Sequence, residues 1–143
     1  MRKKLLLVCA NYYPNISLSL RNGAVTSLDK IHKKFINYEC IEVPGVFEIP
    51  FIIAKNIKKY DAFIALGCVI KGETPHFDFI SSATTNAIMN LSINHKKPIG
   101  NGIITCLNQK QALERSDPNK KNKGGEAAKA LLSVLGVINE KSK

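Results

Sequence analysis

Residues 66–80 read Leu-Gly-Cys-Val-Ile-Lys-Gly-Glu-Thr-Pro-His-Phe-Asp-Phe-Ile, and they hold the most chemically suggestive spacing in the chain. A short apolar segment, residues 61–66, precedes them, and from Phe77 to Met89 apolar residues recur at helical spacing. The pattern predicts strand, tight loop and helix. Gly67, Gly72, Thr74, Pro75 and His76 fall in the predicted loop, with Lys71 and Glu73 between them. Glycines allow backbone N–H groups to approach a ligand. The first turn of the following helix adds unpaired N–H groups and a partial positive charge. Together these make an anion site suited to phosphate. His76 stands at its rim with a side chain that exchanges protons near neutral pH. A Cys68/His76 nucleophilic pair is a second chemistry these residues could support. A plain βα turn with a surface histidine is the third reading, and the loop alone does not exclude it.

The elements that would position this loop follow from the periodicity. Residues 5–10 form a continuous apolar run, expected of a strand buried on both faces. A loop at 11–15 carries Tyr12 and Tyr13, and a helix is expected over 16–35 with Asn15 as its N-cap. Residues 38–43 read as a second strand, and Pro44-Gly45-Val46 turns the chain into a helix over 48–57 with Pro50 in its first turn. The third strand and central loop lead to a helix ending near His95. A fourth strand over 98–105, a short helix over 109–115, a polar basic loop over 116–122 and a last helix over 123–136 complete the chain, with Gly136 closing that helix. Strand and helix alternate four times with no linker and no repeat. This predicts a single α/β domain over 1–143, a four-stranded parallel sheet covered by helices on both faces. In such sheets ligands bind beyond the carboxyl ends of the strands. The informative loops are then 11–15, 44–48, 67–76 and 106–123.

Composition narrows the function classes. The chain has 143 residues, 45% of them hydrophobic, and no apolar run nears the roughly 18 residues needed to cross a bilayer. Arg2-Lys3-Lys4 before the first apolar run resembles the start of a signal peptide, but the run ends at Asn11-Tyr12-Tyr13-Pro14 with no small-residue cleavage site. It reads as the first strand of a cytoplasmic protein. Cys9, Cys40, Cys68 and Cys106 occur singly near the ends of strand-like runs, so buried free thiols are expected rather than zinc ligands or disulfides. Net charge is +10, but 18 of the 21 basic residues are Lys, spread along the whole chain. Arg, the favoured reader of bases and phosphates, occurs only at positions 2, 21 and 115. With no recognisable nucleic-acid motif, the charge reads as a solvated surface, and no nucleic-acid partner is expected.

Four segments carry a family resemblance. Val43-Pro44-Gly45-Val46-Phe47-Glu48-Ile49-Pro50 resembles the Val-Pro-Gly-Ala-Phe-Glu-Ile-Pro motif of lumazine synthases. Residues 66–79 resemble that family's Gly-x-Val-Ile-x-Gly-x-Thr-x-His-x-Asp loop, Gln111-Ala112-Leu113-Glu114-Arg115 its Gln-Ala-x-Glu-Arg segment, and Asn122-Lys123-Gly124 its Asn-Lys-Gly. Their order and spacing agree over almost the whole chain. The resemblance implies a flavodoxin-like, doubly wound, three-layer α/β/α sandwich. It implies condensation of 5-amino-6-ribitylaminouracil with 3,4-dihydroxy-2-butanone 4-phosphate. Phosphate and water leave, giving 6,7-dimethyl-8-ribityllumazine, the penultimate step towards riboflavin. No electron is exchanged, so neither cofactor nor metal is expected.

Carried over by motif, Gly72, Glu73, Thr74, Arg115 and Lys123 would hold phosphate. Tyr12, Val46, Phe47, Glu48, Cys68, Val69, Ile70 and Asn101 would hold the uracil ring and ribityl chain, and His76 would relay protons. Tyr12 replaces the usual Phe or Trp, and Asn101 stands where a neighbouring subunit's Phe often packs on the ring. The resemblance also implies a homo-oligomer with sites between adjacent subunits. Because only four residues precede the first strand, a free pentamer is expected first, an icosahedral shell second and a decamer third. A non-catalytic flavin or lumazine binder on the same scaffold is the alternative function.

Overall fold

The structure is a computed structural model that describes residues 2–136. Four strands, β1 (Lys3–Ala10), β2 (Ile36–Val43), β3 (Ala62–Ile70) and β4 (Ile99–Cys106), form one parallel sheet in the order β2-β1-β3-β4. Five helices cover it: α1 (Pro14–Asp29), α2 (Ile49–Lys55), α3 (His76–His95), α4 (Gln109–Ser116) and α5 (Lys123–Leu135). A 3-10 turn, Val46–Glu48, leads into α2. The three-layer α/β/α sandwich is the architecture expected from the alternation of elements.

The central strands explain themselves. Leu5, Leu7 and Cys9 of β1 pack into the layer under α1 and α5, while Leu6, Val8 and Ala10 pack against α2 and α3. Both faces are dry, so the sequence cannot alternate and reads as one apolar run. β2 and β4 lie at the sheet edges; β4 alternates buried with open positions, while β2 is buried only at its two ends.

Several boundaries differ from the sequence reading. α1 starts at Pro14, not Ile16, and Tyr13 rather than Asn15 occupies the N-cap with an extended backbone. Proline at the first helical position is preset for helix, and its missing N–H costs nothing there. α1 ends at Asp29, six residues early. Residues 30–35 turn instead, and the Lys3 N–H donates to the Phe35 carbonyl at 2.7 Å, joining that turn to β1. Ile31 still packs on the core, so the apolar spacing outlasts the helix. β3 runs on to Ile70 because β4 pairs with it as far as Cys106. Gly67, Cys68, Val69 and Ile70 therefore belong to the strand, and the loop shrinks to residues 71–75. Of the four cysteines expected to be buried, Cys40 is exposed, because it lies on the edge strand β2.

Two glycines fix how the site-bearing elements meet. A Cβ on Gly67 would lie 2.6 Å from Val46 Cγ1 and 3.1 Å from Ala10 Cβ, so the bare backbone lets the 44–48 turn sit on β3. A Cβ on Gly124 would lie 2.0 Å from the Leu20 carbonyl oxygen, where α5 crosses α1. Neither neighbour is a flexible side-chain tip at Gly124, so Gly124→Ala must push the helices apart. Overpacking typically costs 1–3 kcal/mol, more than the roughly 1 kcal/mol of helix propensity that alanine adds. The expected result in urea unfolding is a net loss of about 1 kcal/mol. Gly72→Ala, with no atom within 4 Å of the added Cβ, serves as the control and should shift stability by less than about 0.5 kcal/mol. Equal midpoints for the two variants would contradict this account.

Candidate active site

The βα connections diverge between β1 and β3: β1 leads outward to β2, while β2 crosses back over β1 to reach β3. At such a switch point the strand carboxyl ends leave a crevice. Here the crevice is a cavity of about 490 Å³. Tyr12 and Tyr13 enter it from the end of β1, residues 44–48 from the end of β2, and Cys68, Val69 and Ile70 from β3. Gly72, Thr74 and His76 close the side where α3 begins.

Each wall has a local cause. The Glu48 Oε1 accepts the Gly45 N–H at 2.9 Å and ties the turn into a compact loop. Val46 is thereby buried, while Phe47 projects outward and is 61% exposed. Tyr12, 71% exposed, faces the same mouth, and its ring meets Tyr13 edge-on with centroids 4.9 Å apart. Two open aromatic faces beside a strand backbone suit a flat heterocycle. His76 is the first residue of α3, not the last of the loop. Its N–H has only a long 3.4 Å contact to Thr74 Oγ1, and the next bonds of the turn run from Asp78 and Phe79 to Pro75. The first turn of α3 thus points weakly engaged N–H groups at the space above Gly72 and Thr74, an anion-ready corner. Gly72 has an ordinary φ and open surroundings, so no demand of the protein chain itself accounts for a glycine there.

A second groove, of about 470 Å³, lies on the outer edge of β4. Asn101, Thr105, Arg115 and Lys123 line it together with Glu126. Arg115 reaches it from the last turn of α4, where its Nη1 donates to the Thr105 carbonyl at 3.1 Å. Lys123 opens α5 and pairs with Glu126 at 3.2 Å. Asn101 accepts the Ile103 N–H at 3.1 Å on the free edge of the strand.

The expected site residues therefore fall into two groups. Tyr12, Val46, Phe47, Glu48, Cys68, Val69, Ile70, Gly72, Thr74 and His76 share the first cavity. Asn101, Arg115 and Lys123 share the second, and no residue lines both. Glu73 is exposed and lines neither. Phe77 and Ile80 of α3, which sequence reasoning passed over, also line the first cavity, and Tyr13, noted but given no role, does as well. Glu126 was also missed, although its position three residues after Lys123 on a helix is the signal for such a pair.

The cavity thiol, Cys68, is no nucleophile. Burial, with a smaller push from the neighbouring Cys106, raises the Cys68 thiol to about 12. Cys106 is itself raised by burial, with Arg115 acting in the opposite sense. At neutral pH Cys68 is a protonated wall residue whose thiol partner is Cys106 rather than His76.

A parallel α/β sandwich with an aromatic-lined crevice at its switch point is a protein of the flavodoxin-like class. A family model described as 6,7-dimethyl-8-ribityllumazine synthase matches residues 2–139. The 6,7-dimethyl-8-ribityllumazine synthase of Bartonella tribocorum is 44% identical over 142 residues, covering 96% of this chain and 92% of the relative. That of Bartonella henselae is 45% identical over 136 residues, covering 92% and 86%. That of Zymomonas mobilis is 42% identical over 138 residues, covering 94% and 95%. The chain belongs to the 6,7-dimethyl-8-ribityllumazine synthase family, transferase-type enzymes of riboflavin biosynthesis. Among the described residues no helix is long and apolar enough to cross a membrane.

Proposed function

We propose that this protein condenses 5-amino-6-ribitylaminouracil with 3,4-dihydroxy-2-butanone 4-phosphate, in sites completed between adjacent subunits of a homopentameric ring. The observation that carries the reading is the division of labour on one chain. The proton-carrying His76 and the ring-facing aromatics line one cavity, and the cations Arg115 and Lys123 line another. A reaction between a ring amine and a phosphorylated ketone needs both sets at once. A second copy that brings its β4 edge to the mouth of the first cavity supplies them. Exposed apolar residues support association: Phe51 of α2 and Phe79, Met89 and Ile93 of α3 are each more than half open to solvent.

In the completed site, Tyr12 and Phe47 hold the uracil ring, the backbone of Val69 and Ile70 reads its edge, and the free oxygen of Glu48 receives ribityl hydroxyls. Thr74, the start of α3 and Arg115 hold the phosphate, with Lys123 adding a point charge. His76 moves protons during imine formation and phosphate loss. Most of the acceleration then comes from holding two reactive molecules together.

His76→Ala should slow product formation, followed by lumazine absorbance, about 10²-fold without abolishing it, because positioning survives. Cys68→Ala should stay within about twofold of wild type. The opposite ranking would replace the proton relay by a thiol mechanism. A protein that binds lumazine tightly yet forms none from both substrates would instead be the non-catalytic relative. Native mass spectrometry distinguishes the pentamer from a shell or a decamer.

A further inference from the structure

The lysines that look scattered in sequence are collected by the fold. All four strands start at one end of the sheet, opposite the active-site loops. Residues 2–4, 33–34, 58–59 and 96–97, which enter the four strands, are all Lys or Arg. The acidic residues at that end are engaged: Asp29, the last residue of α1, accepts the Tyr38 hydroxyl at 2.6 Å, Asp61 accepts the Lys4 N–H at 2.7 Å, and Glu39 of β2 pairs with the Lys4 ammonium at 3.8 Å. Part of this has a local cause, since three of the pairs follow helix C-termini, where cations are favoured. Lys97 is the clearest case, donating to the Ile57 and Tyr60 carbonyls. Lys33, Lys34, Lys58, Lys59 and Lys96 remain exposed with no such role.

We infer that this end of the molecule is a docking face for the phosphodiester backbone of a nucleic acid, read by charge and not by sequence. Neighbouring strands lie about 4.8 Å apart, so the four basic turns form a row roughly 14 Å long. A nucleic-acid strand presents one phosphate per about 3.4 Å of helix axis, enough to meet every turn in the row. The lysines are point charges without base-reading geometry, which fits backbone contacts alone. An anionic membrane is the less suitable partner, because surface docking there uses an apolar face. At this end the exposed large apolar residues are Phe35, 40% exposed with the Lys34 ammonium 5.1 Å above its ring, and Ile93 of α3, too few to make an apolar face. The half-sites lie at the other strand ends and on the β4 edge, away from the basic turns.

The test uses the assembled protein with a labelled 20-nucleotide oligo(U), oligo(dT) as the 2′-hydroxyl control, and phosphatidylglycerol vesicles. K33Q/K34Q/K58Q/K59Q is compared with K110Q/K120Q/K121Q/K129Q, which removes the same charge from exposed lysines elsewhere. The first variant should lose at least tenfold in oligonucleotide affinity at 50 mM salt. Its slope of log affinity against log salt should flatten by about 3, near 0.7 for each lost phosphate contact. Turnover should be unchanged, and oligo(dT) should bind as well as oligo(U). The control variant should lose less than threefold. Equal losses in both variants would reduce the effect to net charge and overturn the face. So would binding to vesicles without binding to either oligonucleotide, or no oligonucleotide binding by the wild type at 50 mM salt.

Discussion

Replacing Arg115 with alanine lowers kcat/KM by about two to four decades, and lysine at that position restores only part of the loss. The estimate rests on two charged hydrogen bonds from the guanidinium fork to phosphate, each worth roughly 1.5–3 kcal/mol. Lysine keeps the charge but offers no planar fork, so it returns one contact of the two. Arg115 also has a structural role, since its Nη1 donates to the Thr105 carbonyl at 3.1 Å. That neutral acceptor at a partly open site is worth about 1 kcal/mol. The two roles separate by measurement. If Arg115 binds the ligand, stability falls by no more than that bond, about 1 kcal/mol, while turnover collapses by decades, whereas a purely structural role moves the two in proportion. Wild-type kinetics in both variants would remove Arg115 from the phosphate site.

The ligand-side loops were legible in the sequence because their residue types are set by local demands. Val46 buries under a turn tied by Glu48, and Gly67 leaves room for that turn, so a run such as Val-Pro-Gly-Val-Phe-Glu has little freedom to vary. β1 was legible because both its faces are dry. The end of α1 was not, because Ile31 packs on the core from a turn and imitates one more helical repeat. The limits of β3 were not legible either. Gly67 reads as a loop residue, and only pairing with β4 as far as Cys106 shows that the strand continues. Nor could the sequence show that Arg115 and His76 line separate cavities, or that lysines tens of residues apart share one end of the sheet. Both are consequences of the strand order.

Mixing two inactive variants should restore activity. In a ring, each site takes its cavity from one subunit and its β4 edge from the next. His76→Ala damages only the cavity, and Arg115→Ala damages only the edge groove. When the two chains co-assemble at random in equal amounts, about one interface in four pairs an intact cavity with an intact edge groove, by the repetition of a single heterologous contact. That interface holds a complete wild-type site, so the mixture should reach about a quarter of wild-type turnover. Either parent alone should stand near 1% or below, from the losses argued for proton transfer and for phosphate binding. The experiment refolds the two chains together from urea and follows lumazine absorbance, with each chain refolded separately as the baseline. If one chain formed a whole site, every site in the mixture would carry one lesion, and activity would be the average of the parents. Recovery well above both parents is therefore the signature of a shared site, and its absence in a mixture that native mass spectrometry shows to be co-assembled would refute the division between subunits.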